Sequence, residues 1–241
     1  MENKTGKYFK YAIGEIVLVV IGILIALQIN TWNENSKRNK LESEALKNLK
    51  EDFNNNLLKL IRTDSLSTLN IKSCVEILNH SGKRYTEVFV LDTYLNDAVS
   101  VTDYVAKNGF LNDLINSGNL GLIKNTVLRN LLSSWLSELI DLNKIEDDTG
   151  KFNNATIDFI MKNGSFLNVD EERDFKTSSN IKLPESGFEI NNNELLKLPE
   201  FENIIENQII LQDLVIYKYK HCIKLNKEIL KLLESEINKK K

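Results

Sequence analysis

Asp148-Thr149-Gly150 reproduces the D-T-G tripeptide of aspartic proteases. That chemistry needs apolar strand residues ahead of the Asp, so that two buried carboxylates share one proton. Glu146 and Asp147 stand there instead, inside a helical pattern, and the run reads as a solvated acidic face. Asp170, Glu171, Glu172 and Asp174 offer oxygens of the kind calcium takes. The EF-hand spacing and its central glycine are missing and Arg173 interrupts the run, which leaves a solvated loop as the expectation. Two histidines and two cysteines exclude a disulfide framework and argue against a four-ligand Cys/His zinc site. His221 and Cys222 are neighbours, and neighbours on a helix diverge by about 100°, so adjacency makes no nucleophile–base pair. Lys124 and Arg129, beside the Asn116-Ser117-Gly118-Asn119 turn, could bind an anion at the helix start, but a capped turn is the expectation. Phosphate-loop, dinucleotide, nucleophile-elbow and zinc-protease patterns do not occur. No catalytic residue, metal or cofactor is expected, and the chain does not read as an enzyme.

The elements that would position any of these residues are helical. Among 241 residues there are only 2 prolines and 10 glycines, but 31 asparagines. So few turn-formers argue against an all-β fold and permit long uninterrupted helices. A first pattern carries Leu41, Ala45, Leu46, Leu49, Phe53, Leu57, Leu60 and Ile61, weakens through Ile71, Val75 and Leu78, and stops at His80-Ser81-Gly82. A second starts at the N-cap Asn125 and runs through Leu128, Leu132, Trp135, Leu139 and Leu142 to Gly164, with Gly150 as a possible break. A third opens at Pro199 and continues to Ile237. Between the first two, residues 83–91 are a short strand or an extended linker. Asp92 is expected to cap a helix through Ala106, and Phe110 to Ile115 make a short helix closed at Gly118. Residues 165–198 turn polar and irregular around Pro184, Gly187 and Asn191-Asn192-Asn193, as a surface excursion does. If the last helix returns along the first with Arg38 opposite Asn238, Cys222 lies roughly 30 Å along the axis from Cys74. Two free cysteines follow. The terminal Lys239, Lys240 and Lys241 read as a solvated tail.

Ahead of the bundle lies the strongest local feature. Ala12 to Ile29 is an eighteen-residue run with one charge, Glu15, and twelve Ile, Val or Leu. As a helix it rises about 27 Å, close to the ~30 Å hydrocarbon core. Tyr8, Phe9 and Tyr11 at one end and Trp32 at the other suit interfacial aromatic belts. The run is long for a signal peptide and no small-residue cleavage site follows it, so it reads as an uncleaved signal anchor. Lys4, Lys7 and Lys10 flank it closely, against the more distant Lys37, Arg38 and Lys40, which favours the N-terminus inside. Glu15, Gly22 and Ala26 fall within about 20° of one helix direction. Gly22 and Ala26 make a small-xxx-small pair, and Glu15 could hydrogen-bond across a contact there. The other reading has Glu15 snorkelling beside Lys10 and the small residues incidental.

The stretch from Tyr8 to Glu34, with its Gly14-Glu15 pair and closing Gln28-Ile29-Asn30-x-Trp32-Asn33-Glu34, resembles the opening of an uncharacterised single-span membrane protein family. This is a domain of unknown function found in flavobacteria and other Bacteroidetes, and residues 116–123 resemble a recurring piece of it. The resemblance implies a membrane protein with a helical soluble domain and no known activity.

The sequence therefore leads to an all-α chain. A tail over residues 1–10 is expected in the cytoplasm, a transmembrane helix over 11–32, and an elongated antiparallel helical bundle over 33–241. The bundle lies outside a bacterial inner membrane in this reading. The partners are the lipid bilayer and a second copy or another membrane protein. The net charge of −3 gives no case for nucleic acid. A membrane-anchored scaffold is the function expected, with an extracytoplasmic ligand-sensing bundle as the alternative.

Overall fold

The computed structural model describes the backbone of residues 4–239 and the side chains of residues 13–239. Three long helices dominate: α1 (Lys4–Asn79), α4 (Thr126–Asn163) and α6 (Pro199–Asn238). Short helices α2 (Asp92–Ala98), α3 (Gly109–Asn116) and α5 (Phe166–Glu172) lie between them. Three 3-10 turns, Gly82–Arg84, Asn119–Leu122 and Asn192–Lys197, complete the chain. Among the described residues there is no strand, only an isolated bridge between Lys176 and Lys182. The fold is all-α, and its N-terminal apolar helix continues without a break into an antiparallel bundle.

Local chemistry sets the helix ends. No proline or glycine lies between Gly22 and Gly82, so α1 has nothing to stop it until Gly82 takes φ +59°. Asn125 caps α4, its side chain accepting from the Leu128 N–H at 3.0 Å. Gly150 does not interrupt α4, because helical packing on both sides outweighs the roughly 1 kcal/mol propensity cost of one glycine. Pro199 opens α6, where its missing N–H has no helical partner to lose.

In the bundle α6 packs along both α1 and α4. Two apolar cores form. One holds Leu46, Leu49, Phe53, Leu132, Trp135, Leu142, Tyr219, Cys222 and Ile229. The other holds Cys74, Ile77, Leu91, Leu95, Ile160, Phe201 and Ile205. Between them α4 and α6 bury polar residues, Thr149, Asn153 and Thr156 with Gln208 and Gln212. Trp135, fully buried, lies 5.2 Å from the Phe53 ring and donates its indole N–H to Asn108.

The helix register differs from the expected one. Lys50 meets Glu234 at 2.9 Å and Arg84 meets Glu202 at 3.5 Å, so α6 sits about two turns further along α1 than the pairing of Arg38 with Asn238 requires. Cys222 then faces about residue 62, roughly 18 Å along the axis from Cys74. Both cysteines are free and buried in separate cores.

The connections differ more. Residues 83–91 hold no strand; they leave the 3-10 turn and reach α2 as loop and turn. Asp92 is the first residue of α2 rather than its cap, and its carboxylate accepts from the Asn192 amide. That helix ends at Ala98, not Ala106, because residues 99–108 are captured as an extended strap by side chains. Asn56 donates to the Lys107 carbonyl at 3.1 Å and accepts from its N–H at 2.7 Å. Asn70 donates to the Ser100 carbonyl, and the Ser67 and Thr102 hydroxyls pair. A side-chain amide carries both donor and acceptor, so it serves a strap's backbone as a neighbouring strand would.

Residues 165–198 are more than a surface excursion. They hold α5, and they bury Val169, Asn192, Leu195 and Leu196. Asn192 accepts from the Ser165 N–H and donates to its carbonyl, while Asn193 does the same for Leu91 N–H and Phe89 carbonyl.

Candidate functional site

Glu15, Gly22 and Ala26 all lie exposed on the apolar first part of α1. An eighteen-residue window there has mean hydropathy 2.3 and none of it is buried within the chain. That helix is long and apolar enough to cross a membrane. At 100° per residue the three positions share one direction, and a Cβ at Gly22 would meet nothing within 4 Å. The same face continues as exposed Lys40, Glu44, Lys47 and Glu51, while Leu46, Leu49 and Phe53 bury the opposite side. The bare stripe therefore points away from the bundle's core. The side chains of Lys4, Lys7, Lys10, Tyr8, Phe9 and Tyr11 lie outside the described residues, as do Lys240 and Lys241.

A second polar constellation lies at the middle of the bundle. Glu146 is only 8% exposed, not part of a solvated face. Its Oε1 accepts from the Tyr104 N–H at 2.9 Å and from the Tyr219 hydroxyl, whose oxygen also lies 3.1 Å from the Thr102 carbonyl. Burial raises the Glu146 carboxyl above the usual carboxylate range, against the lowering effect of those two donors. Asp103 and Asp147 push it the same way. Burial likewise pushes the Tyr104 and Tyr219 hydroxyls up. A cleft of about 590 Å³ opens beside this group, between the strap and α4, lined among others by Asp103, Tyr104, Glu146, Asp147 and Asn154. The helical step Leu132, Trp135, Leu139, Leu142 projects onto Glu146, Thr149, Asn153 and Thr156, all buried. That continuation into polar residues was the available signal for a buried carboxylate.

The other chemical candidates are dispersed. Asp148 is exposed and pairs with Lys151 at 2.9 Å while Thr149 is buried, so the D-T-G tripeptide is one turn of a helix with its carboxylate on the surface. Asp170 pairs with Arg173, and Asp174 with Lys176. Among the described residues no group of three His, Cys, Asp or Glu is placed to hold a metal. Arg129 donates to the Ile123 and Lys124 carbonyls before α4, and Lys124 reaches Asn39 and Glu42 on α1, so both basic groups are engaged within the fold. His80 bonds the Glu76 carbonyl and stacks on Phe89 at 4.0 Å. His221 lies 3.5 Å from Glu138, which also holds Lys218. Burial pushes both thiols up to about 12, opposite to what a nucleophile needs.

No curated protein and no solved structure gives a significant match to the chain. A family model described as "Family of unknown function (DUF6090)" matches residues 15–175, about two thirds of the chain. The match runs from Glu15, at the head of the small-residue stripe, through the strap and α4 to the end of α5. Given that span, the chain belongs to the DUF6090 family of unknown function.

Proposed function

We propose that this chain is a single-pass, membrane-anchored helical scaffold or interaction protein. The observation that carries the reading is α1: one unbroken helix whose apolar part is bare and whose distal part is the spine of the bundle. Exposed apolar surface of this extent is costly in water and favourable in lipid. A rigid junction of this kind fixes the bundle's height and rotation relative to the bilayer. The anchor is an uncleaved signal anchor in a bacterial cytoplasmic membrane, since its apolar run is long and no small-residue cleavage site follows it, with the bundle on the periplasmic side. Glu15, Gly22 and Ala26 form the face that meets a second copy or another membrane protein, and no catalysis is involved.

Crosslinking of the intact protein in native membranes tests this. A dimer or a defined heteromeric product is expected, and Gly22→Leu or Glu15→Ala should reduce it. A monomer unaffected by either change refutes the association face. The cleft beside Glu146 favours a second reading, a ligand-sensing bundle that acts through a membrane partner.

A further inference from the structure

The cleft between the strap and α4 has the charge of a site for a cation. Its innermost group, Glu146, is more than nine-tenths buried, and both of its hydrogen bonds fall on Oε1. Oε2 has no hydrogen-bond partner among the described residues. Nor is it one of the solvent-sealed unpartnered atoms, so it opens onto the cleft that Glu146 lines. Tyr104, 3% exposed, lines the same cleft and has a buried hydroxyl without a partner. Two further carboxylates, Asp103 and Asp147, stand exposed at the rim, and neither is in an ion pair among the described residues. The basic residue lining the cleft, Lys151, is engaged by Asp148. Three carboxylates thus line a space of about 590 Å³ in which the described lining residues offer one cation, Lys151, hydrogen-bonded to Asp148 and drawn also by Asp147, and none at Glu146 Oε2. A carboxylate held out of water by fixed donors is stabilised most by a charge-assisted hydrogen bond from a cation.

We propose that this cleft binds a small organic ammonium ion, with Glu146 Oε2 as the inner acceptor and Asp103 and Asp147 as the rim acceptors. The chemistry favours an ammonium over a metal ion. The carboxylates are not grouped to ligate one centre. The cleft has the volume of a small-molecule site. Val101 and Val105 line it and suit a carbon chain. The two tiers of carboxylate, one buried and one at the rim, suit a diamine, whose two charges are separated by methylenes. The site stands on the cleft alone and goes beyond the scaffold reading. Failure of the anchor or of self-association would leave it intact.

The test is isothermal titration of putrescine into the full chain, held in nanodiscs of uncharged phosphatidylcholine at fixed ionic strength. One-site saturable binding is expected, with none for butane-1,4-diol, which has the same carbon chain and no charge. The pair Asp103→Asn with Asp147→Asn should weaken binding about tenfold or more, the loss expected when charge-assisted hydrogen bonds become neutral ones. Glu146→Gln, which keeps an acceptor for Tyr104 and Tyr219, should abolish it. If Glu146→Gln fails to fold, the exposed rim pair decides alone. Absence of saturable binding, equal binding by the rim variant, or binding of magnesium or calcium in place of the diamine would each overturn the proposal.

Discussion

Placing two arginines in the middle of the apolar run, Ile21→Arg with Leu24→Arg, should expel α1 from the bilayer without unfolding the bundle. Twelve Ile, Val and Leu between Ala12 and Ile29 contribute about −5 kcal/mol to insertion, and Glu15 opposes this by at most about 3 kcal/mol. The native balance is then about −2 kcal/mol or better. The two substitutions remove about 1 kcal/mol of favourable transfer and add about 6 kcal/mol of cost at the bilayer centre. The balance becomes about +5 kcal/mol, which makes the inserted state a minor population. Ile21 and Leu24 are 49% and 59% exposed on a helix with no tertiary cover, so their loss removes nothing from either core. They also lie well away from the direction of Glu15, Gly22 and Ala26. The assay is carbonate extraction of membranes, with the thermal melt of the bundle as the folding control. The native chain should stay in the pellet and the double variant should move to the supernatant with an unchanged melt. A double variant that stays in the carbonate-washed pellet would refute the reasoning.

Further consequences concern the bundle. Tyr219→Phe removes the hydroxyl that Glu146 and the Thr102 carbonyl share while keeping the ring, and should cost about 1–3 kcal/mol in chemical denaturation. Because burial raises the folded-state Glu146 carboxyl, that group's stabilising contribution is present below its unfolded value and is lost as pH rises through the raised one. Glu146→Gln should therefore be more stable relative to the native chain at pH 8 than at pH 4.5, and a difference independent of pH would contradict the assignment. Cys74 and Cys222, buried and with thiols pushed up to about 12, should react with Ellman's reagent at pH 8 only after denaturation. Rapid labelling of the folded protein would show that one core opens. Gly118→Val should cost about 1–2 kcal/mol, since φ +71° is a left-handed conformation that a branched side chain resists.

The long helices were legible because their signals are local. The step from Leu41 to Leu60, the Asn125 cap, Pro199 at a helix start and the stop at Gly82 each act within a few residues, and each produced the element it implied. The strap was not legible. Val99, Val101 and Tyr104 carry no signal for how residues 99–108 run, which is decided by amides and hydroxyls thirty to fifty positions earlier on α1. The asparagines misled for the same reason. Asn191-Asn192-Asn193 has the composition of a solvated turn, yet Asn192 and Asn193 clamp backbone at Ser165 and at Phe89–Leu91. Glu146 stands beside the charged Asp147 and Asp148 in the sequence, yet helix geometry sets it on the face of Leu139 and Leu142. The stripe of Glu15, Gly22 and Ala26 was legible as a direction on a helix, and what meets it lies outside a single chain.

The measurement that bears most directly on the central claim is a topology reporter fused after Lys241, read in living cells with both a cytoplasm-dependent and a periplasm-dependent reporter. A chain anchored by α1 with its bundle across the membrane gives periplasmic reporter activity and no cytoplasmic signal, and removing residues 1–32 reverses the two. Cytoplasmic signal from the full chain, unchanged by that removal, would contradict the account.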